Sequence, residues 1–260
     1  MKLGMPVLIE FNSLEENIRL CNELKLDFIE LNMNYPIFMP ESFSYRKALE
    51  AKRKYGVNFT VHFPEEIDLS SFHPPIKKGH IERCKELIEW TSKAEIKLAN
   101  MHLSNGIYCT LPSSRQWINE KYEEEFKKLL YKSYSELNDY ASSLGVILCI
   151  ENTSNFHIPF IKRALDMLTV FENFNLTWDV GHDAKVNFSE KPVLMNLADR
   201  IKHMHLHDFN EESDHQSLYT GIIPIDERLE FARDNNISVV IEVKTSEALK
   251  ESVNKIVDFR

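Results

Sequence analysis

The most constraining feature of this 260-residue sequence is a series of short apolar runs, each ending in a side chain that can ligate a metal ion. Six of these end residues recur at intervals about as long as one strand plus one helix: His62, His102, Glu151, Asp179, His205 and Glu242. Alternating strands and helices make the strands parallel, so corresponding strand ends lie on the same side of a sheet. The series therefore predicts a ring of ligand side chains around one mouth of the fold.

Eight strand candidates can be counted in all, and each is close to continuously apolar, as is typical of strands buried on both faces. They are Pro6–Glu10, Asp27–Asn32, Asn58–His62, Lys97–His102, Val146–Glu151, Asn175–Asp179, Arg200–His205 and Ser238–Glu242. Helical patterns fill the intervals. This alternation predicts an α/β protein that is a single (β/α)8 barrel, with residues 1–260 forming one domain and the site at the carboxyl ends of the strands.

Composition narrows the class of protein further. A net charge of −9 gives no general attraction to nucleic acid or to anionic membranes, so neither is an expected partner. The four cysteines are scattered without a C-x-x-C pair, which is typical of a reducing compartment, and the apolar run at the start is too short for a signal peptide. We therefore expect a cytoplasmic protein whose oligomeric state stays open, a homo-oligomer included.

Four of the predicted end residues define a metal site by their chemistry. Glu151, Asp179 and Glu242 are carboxylates, and His205 adds an imidazole. Three converging carboxylates would repel one another, and a divalent cation removes that penalty. Mixed oxygen and nitrogen ligands suit Mn²⁺, Mg²⁺, Co²⁺ or Zn²⁺, and the sequence does not choose among them.

Two further histidines can extend this site. His62 and His102 can bind a second ion if Glu151 bridges the two metals. The alternative is that a histidine at the rim binds substrate or solvent.

Alternation along the strands orders the remaining candidates by depth. If His205 points into the mouth, His203 lies one layer deeper and His207 sits on the rim, and Glu30 shares a face with Asn32.

Four other side chains are candidates for substrate binding. His182 and His215 can bind a third ion or hydrogen-bond substrate. Lys185 and Lys244 can neutralise an anionic substrate or lie at the solvated surface.

Several motifs resemble those of the xylose isomerase-like TIM barrels. They are I-E-N at 150–152, W-D-V-G-H at 178–182, H-M-H-L-H-D at 203–208, the D-H…L…G…I-D run from Asp214 to Asp226, and V-V-I-E-V at 239–243. This superfamily includes sugar-phosphate isomerases and epimerases, and the endonuclease IV branch of DNA repair enzymes. The resemblance covers strands five to eight and reaches strands three and four through His62 and His102.

The resemblance implies that Glu151, Asp179, His205 and Glu242 bind the shared divalent metal, with Glu151 and Glu242 flanking a sugar or sugar-phosphate substrate. In the implied mechanism the cation coordinates adjacent sugar oxygens and stabilises an enediolate. One glutamate removes the proton from carbon and the opposite one returns it, so isomerisation and epimerisation can use the same parts.

The alternative is a metal-dependent phosphodiester hydrolase of the endonuclease IV type, acting on abasic-site DNA. His62, His102, His182 and His215 match that branch's extra metal ligands. However, no G-Q-G follows the glutamate of strand five, and Ser213 stands where that branch has an aspartate two residues before the histidine.

We therefore expect one or two metals rather than three, with His182 and His215 contacting substrate oxygens. Asp214 and Glu212 are expected to point away from His215. A non-catalytic barrel that binds a sugar or a metal is a third reading, and the intact set of four ligands argues against it.

Overall fold

Eight parallel strands close into a barrel in a computed structural model, which describes residues 1–210 and 212–259. The barrel strands are β1 (Lys2–Pro6), β2 (Phe28–Asn32), β3 (Asn58–His62), β4 (Leu98–His102), β7 (Ile147–Glu151), β8 (Asn175–Asp179), β9 (Ile201–Leu206) and β10 (Ser238–Ile241). They follow one another around the barrel in chain order, and β10 pairs with β1 to close it. An antiparallel hairpin, β5 (Tyr108–Thr110) and β6 (Arg115–Trp117), projects after β4. The predicted (β/α)8 barrel is confirmed.

Helices in the intervals cover the outside of the barrel. They are α1 (Leu14–Glu23), α2 (Tyr45–Tyr55), α3 (Pro74–Lys93), α4 (Ile118–Lys121), α5 (Glu123–Ser143), α6 (Pro159–Leu168), α7 (Val180–Lys185), α8 (Lys191–Asn196), α9 (Ile225–Asp234) and α10 (Ser246–Lys255), with 3-10 turns at Ala198–Arg200 and Val257–Phe259. Their apolar faces are buried against the strands; α5, for example, buries Phe126, Leu130 and Leu137. Among the described residues, no helix combines the length and the apolar character that a membrane span requires. The expectation that residues 1–260 form one domain stays a prediction.

The first strand is the one that the sequence misplaced. The prediction of Pro6–Glu10 was wrong, because Lys2–Gly4 pair with β10 and Gly4–Pro6 pair with β2. Lys2 and Gly4 are poor strand formers, so the pattern there looked weaker than the apolar run that follows. Val7 and Leu8 are buried, but they belong to the loop over the barrel mouth, where the Leu8 amide donates to Asn17 Oδ1 at 2.8 Å. The other seven predictions agree with the structure to within one residue at each end.

The long loop after β9 is organised by one buried carboxylate, Asp208. Its Oδ1 accepts hydrogen bonds from the amides of Phe209 (2.9 Å) and Ile223 (3.1 Å), and its Oδ2 accepts from Thr220 (3.0 Å) and Gly221 (2.8 Å). A Cβ atom at position 221 would lie 2.1 Å from the Phe209 carbonyl oxygen, so the close approach requires glycine. Asp208 therefore joins the two ends of the loop that carries Asp214 and His215.

We expect Asp208→Asn to lower the free energy of unfolding by about 1–3 kcal/mol, because the new amide group would face two backbone N–H donors that lose their acceptor. Urea denaturation measures the change. Asp199→Asn is the control: that side chain is 82% exposed, and the change should stay within about 0.5 kcal/mol. Equal stability of the two variants would contradict this role of Asp208.

Candidate metal centre and active site

The six predicted end residues surround one mouth of the barrel. Five end or nearly end a strand and the sixth directly follows one: His62 (β3), His102 (β4), Glu151 (β7), Asp179 (β8), His205 (β9) and Glu242 (after β10). Five of them have side chains that are less than one-seventh exposed, and His102 is 19% exposed. Parallel strands bring them together although the chain separates them by up to 180 residues (from 62 to 242).

One imidazole nitrogen lies at the centre of this group. The Nδ1 atom of His205 is 3.2 Å from Glu151 Oε1, 3.2 Å from Glu242 Oε2 and 3.9 Å from Asp179 Oδ2. The donor atoms of Glu151, Asp179 and His205 all lie within 4.8 Å of one another. One cation can therefore reach a nitrogen and several carboxylate oxygens at the same time.

A buried carboxylate lies behind His205, that of Glu30, which the sequence placed on one face with Asn32 but to which it assigned no role in the site. Glu30 Oε1 is 2.9 Å from His205 Nε2, while its Oε2 is 3.0 Å from His203 Nε2 and accepts from Thr60 Oγ1 at 3.1 Å. Burial raises the pKa of Glu30, but His205 and His203 lower it by a larger amount, so the net shift is downward. The signal in the sequence that could have indicated its role is an acidic residue within the otherwise apolar run Phe-Ile-Glu-Leu. With Glu30 next to Nε2, His205 presents Nδ1 to the mouth.

The second oxygen of Glu151 faces two other histidines. His62 Nε2 is 3.3 Å and His102 Nε2 is 3.5 Å from Glu151 Oε2, which also accepts a hydrogen bond from the Asn100 amide. The other ring nitrogen of His62, Nδ1, donates to the Phe63 carbonyl oxygen at 2.7 Å. These atoms form a second cluster that could hold a metal ion, with Glu151 shared between the two clusters.

A third cluster corrects an expectation about the loop. Asp214 was expected to point away from His215, but donor atoms of His182, Asp214 and His215 lie within 4.8 Å of one another. The reason is that His215 has a φ of 56°, so the chain turns there instead of continuing extended. Lys185 Nζ lies 3.2 Å from Asp214 Oδ2 and neutralises that carboxylate.

His207 also differs from its expected position. It was predicted on the rim, yet its side chain is fully buried and hydrogen-bonds with Asp179. The cause is that β9 ends at Leu206, so strand alternation no longer sets the direction of residue 207.

The negative charges of the three carboxylates are offset by histidine and lysine side chains of the protein. Burial raises the pKa of each carboxyl of Glu151, Asp179 and Glu242, but neighbouring cationic groups lower it by a larger amount. The net shift is downward, so all three are ionised. The largest of these opposing effects comes from His205 for Glu151, and from Lys244 for Glu242, whose Oε1 is 2.7 Å from Lys244 Nζ. In turn the carboxylates hold the pKa of His205 well above its usual value, against the effect of burial. A divalent cation can take over this neutralising role.

Protonation of His62 follows from its place beside Glu151. Burial lowers the pKa of His62, but the hydrogen bond and charge of Glu151 raise it more, to about 9. A histidine whose folded-state pKa is raised stabilises the fold fully below its unfolded pKa of about 6.5, and this stabilisation is lost as the pH rises towards 9.

We expect the imidazole of His62, followed by NMR in metal-free protein, to titrate near pH 9. In Glu151→Gln only burial would remain as the dominant effect, so the pKa of His62 should fall below its ordinary value of about 6.5. Asp166→Asn, a change outside the mouth, serves as control. A His62 pKa that is the same with and without Glu151 would contradict this account of the pair.

Comparison with known proteins identifies the family. Residues 18–258 match the family model of the xylose isomerase-like TIM barrels, so the chain belongs to this family, and the resemblance seen in the motifs is confirmed. An uncharacterized protein of Methanocaldococcus jannaschii is 28% identical over 172 residues, which are 64% of this chain and 62% of that protein. A second uncharacterized protein of the same organism is 23% identical over 168 residues, 62% of this chain and 66% of that protein. The matches thus span less than two thirds of either relative.

Solved structures share the whole barrel. A D-tagatose 3-epimerase-like protein superposes with a TM-score of 0.77 at 22% identity, covering 99% of this chain and 98% of that one. IolI with a bound zinc atom gives 0.75 at 18% identity, covering 100% and 98%. D-allulose 3-epimerase from Methylomonas sp., in complex with D-allulose, gives 0.74 at 14% identity, covering 100% and 97%. At these identities the likeness establishes the fold.

Proposed function

We propose that this chain is a divalent-metal-dependent isomerase or epimerase of a sugar or sugar phosphate, with Glu151 and Glu242 as its acid/base pair. The observation that carries the proposal is the approach of both carboxylates to one atom, His205 Nδ1, each at 3.2 Å. They come from strands on either side of β9, so a substrate bound over His205 would have a carboxylate on each side. Two such groups can remove and return a proton at carbon.

The donor set fits a divalent cation. Glu151, Asp179, His205 and Glu242 would hold it, and Mn²⁺, Mg²⁺, Co²⁺ and Zn²⁺ all accept such mixed ligands. His62 and His102 would hold a second ion together with Glu151. The bound cation would supply stabilisation of negative charge on the substrate oxygens next to the reacting carbon.

We assign proton transfer to the oxygen of each glutamate that does not face His205 Nδ1. Glu242 Oε1 is 2.7 Å from Lys244 Nζ, and Glu151 Oε2 faces His62 and His102 at 3.3 and 3.5 Å. With one ion bound beside His205, each carboxylate could turn one oxygen to the cation and use the other to take a proton from carbon or return it. The neighbouring cationic groups keep the accepting form ionised between turnovers.

His182 and His215 are proposed to position the sugar. His182 Nδ1 lies 3.2 Å from the Asn152 carbonyl oxygen and His215 Nδ1 lies 3.0 Å from that of Glu242, which leaves each Nε2 for a sugar hydroxyl. Lys185 and Lys244 lie beside Asp214 and Glu242 and would counter a phosphate group on the substrate.

The comparisons support a small sugar as the substrate, and the composition supports a cytoplasmic location. Two of the similar structures bear the names of ketose 3-epimerases or their likeness, one of them with D-allulose bound, in keeping with a small sugar substrate. Four cysteines without a paired motif are in keeping with the cytoplasm.

We expect purified protein with Mn²⁺ to catalyse the entry of solvent deuterium at a carbon of a ketose or aldose, followed by NMR over a panel of sugars. Glu151→Gln and Glu242→Gln should each slow deuterium entry by about 10²–10⁴-fold, since an amide cannot accept the proton. Glu247→Gln, an exposed residue in the first turn of α10, is the matched control. Unchanged deuterium entry in either test variant would exclude that glutamate from the mechanism.

Elemental analysis of the protein should find one or two metal ions per chain. The third cluster has its one carboxylate, Asp214, already paired with Lys185 at 3.2 Å, so a further cation would meet a neutralised site. Lys185→Met frees that carboxylate and should raise the metal content at saturating Zn²⁺ by one ion. Three tightly held ions in the unaltered chain, with His182 and His215 among the ligands, would refute this count.

A specific observation keeps the phosphodiester hydrolase as second candidate. Asp214 lies with His182 and His215, so the loop has a carboxylate in reach even though Ser213 occupies the position where endonuclease IV has one. The net charge of −9 argues against a nucleic acid substrate. Cleavage of abasic-site DNA, with no deuterium entry into any sugar, would decide for this candidate.

A further inference from the structure

We propose that His207 is a positioning residue that links the proposed metal ligand Asp179 to the loop carrying Asp214 and His215. This rests on the proposed metal-dependent function and adds a residue to it. Its ring lies fully buried against the β8–α7 turn, and a donor atom of His207 lies within 4.8 Å of donor atoms of His215 and Glu242. Each of its two nitrogens has a separate partner, and the two partners belong to different parts of the site.

The tautomer of His207 follows from a backbone donor. The amide N–H of His215 points at His207 Nδ1 over 2.8 Å, and a backbone N–H can only donate. Nδ1 is therefore the unprotonated nitrogen, and the nearby Asp208 carbonyl oxygen at 3.3 Å is a contact without a proton. The ring proton is then on Nε2, which donates to the Asp179 carboxylate, 3.1 Å from Oδ1 and 3.3 Å from Oδ2.

This hydrogen bond and a backbone donor together hold the Asp179 carboxylate in its orientation. Asp179 Oδ1 accepts from His207 Nε2 and also from the His182 amide, at 2.7 Å, as the N-cap of α7. Two N–H donors therefore hold Oδ1. Oδ2 is the longer contact of His207 Nε2, at 3.3 Å, and lies 3.9 Å from His205 Nδ1, so it is the oxygen that would bind a cation.

Close packing holds the His207 ring in this orientation. A Cβ atom on Gly181 would lie 1.8 Å from the ring's Cε1 atom, so the β8–α7 turn passes directly against it. The ring of His215 also packs against it, tilted by 35° with a centroid distance of 4.2 Å. A displacement of the loop would thus move His207, and with it the donor to Asp179.

Two substitutions separate the two hydrogen bonds. In His207→Gln the side-chain N–H₂ can take the place of imidazole Nε2 and still donate to Asp179, but the acceptor for His215 is lost. In His207→Asn the side-chain oxygen can take the place of Nδ1 and still accept from His215, but the donor to Asp179 is lost. Each variant is the matched control of the other.

We expect His207→Asn to weaken Mn²⁺ binding by about 10–100-fold in calorimetry and His207→Gln to leave it close to that of the unaltered chain. Hydrogen exchange of the His215 amide, followed by NMR in ¹⁵N-labelled protein with Mg²⁺, should show the opposite pattern: faster exchange by about tenfold in His207→Gln and little change in His207→Asn. General loosening of the fold would change both quantities in both variants, so the same effect of both variants, or of neither, would overturn the proposal.

The unaltered chain gives a second test that requires no variant to fold. Ring ¹⁵N spectra of His207 should show an unprotonated Nδ1 and a protonated Nε2, and the reverse tautomer would overturn the proposal. Turnover of sugars is measured in a separate assay. Mn²⁺ binding with the crossed variant pattern but no turnover of any sugar would refute the proposed function and leave the role of His207 supported.

Discussion

The mouth of this barrel is built around the two nitrogens of His205. Nε2 lies 2.9 Å from Glu30 within the barrel, and Nδ1 lies 3.2 Å from each of Glu151 and Glu242. Unpaired charges in the interior cost several kcal/mol each, so these carboxylates can be buried only because cationic partners lie among them. The inner carboxylate Glu30 and the outer carboxylates Glu151 and Glu242 share His205 as a partner. The barrel supplies it by closing β9 between β8 and β10.

The position of the site follows from topology, and so it could be predicted. Ligand residues at the ends of apolar runs, at intervals of one strand and one helix, must meet if the strands are parallel. This holds for His62, Glu151 and Asp179, each the last residue of its strand. The prediction failed for the first strand, because Lys2 and Gly4 are poor strand formers and the segment does not look like a strand in the sequence. It becomes one because it pairs with both β10 and β2 and so closes the barrel.

Other features depend on contacts that no local pattern encodes. Glu30 meets His203 across 173 residues of sequence, and only the closed barrel brings β2 to that side chain. The direction of Asp214 depends on a left-handed backbone at His215, and the burial of His207 depends on a glycine, Gly181, in another turn. These residues are set by loop geometry and by packing between distant segments, to which strand alternation does not apply.

The loop after β9 is part of the site through its anchors. Asp208 fixes the two ends of the loop with four backbone hydrogen bonds, and His207 ties its middle to Asp179. A loop of polar residues is thereby held against a buried carboxylate cluster, which places His215 above the mouth. Rigid support of this kind is what a ligand needs if it is to keep its orientation with and without substrate.

The central claim is that one divalent cation binds between His205 Nδ1 and the carboxylates around it. Anomalous diffraction from crystals grown with Mn²⁺ tests it most directly, because the signal locates the metal without reference to activity. We predict a peak bonded to His205 Nδ1, Glu151, Asp179 Oδ2 and Glu242. A mouth without any anomalous peak at saturating Mn²⁺, or a metal bound elsewhere on the chain, would contradict the account.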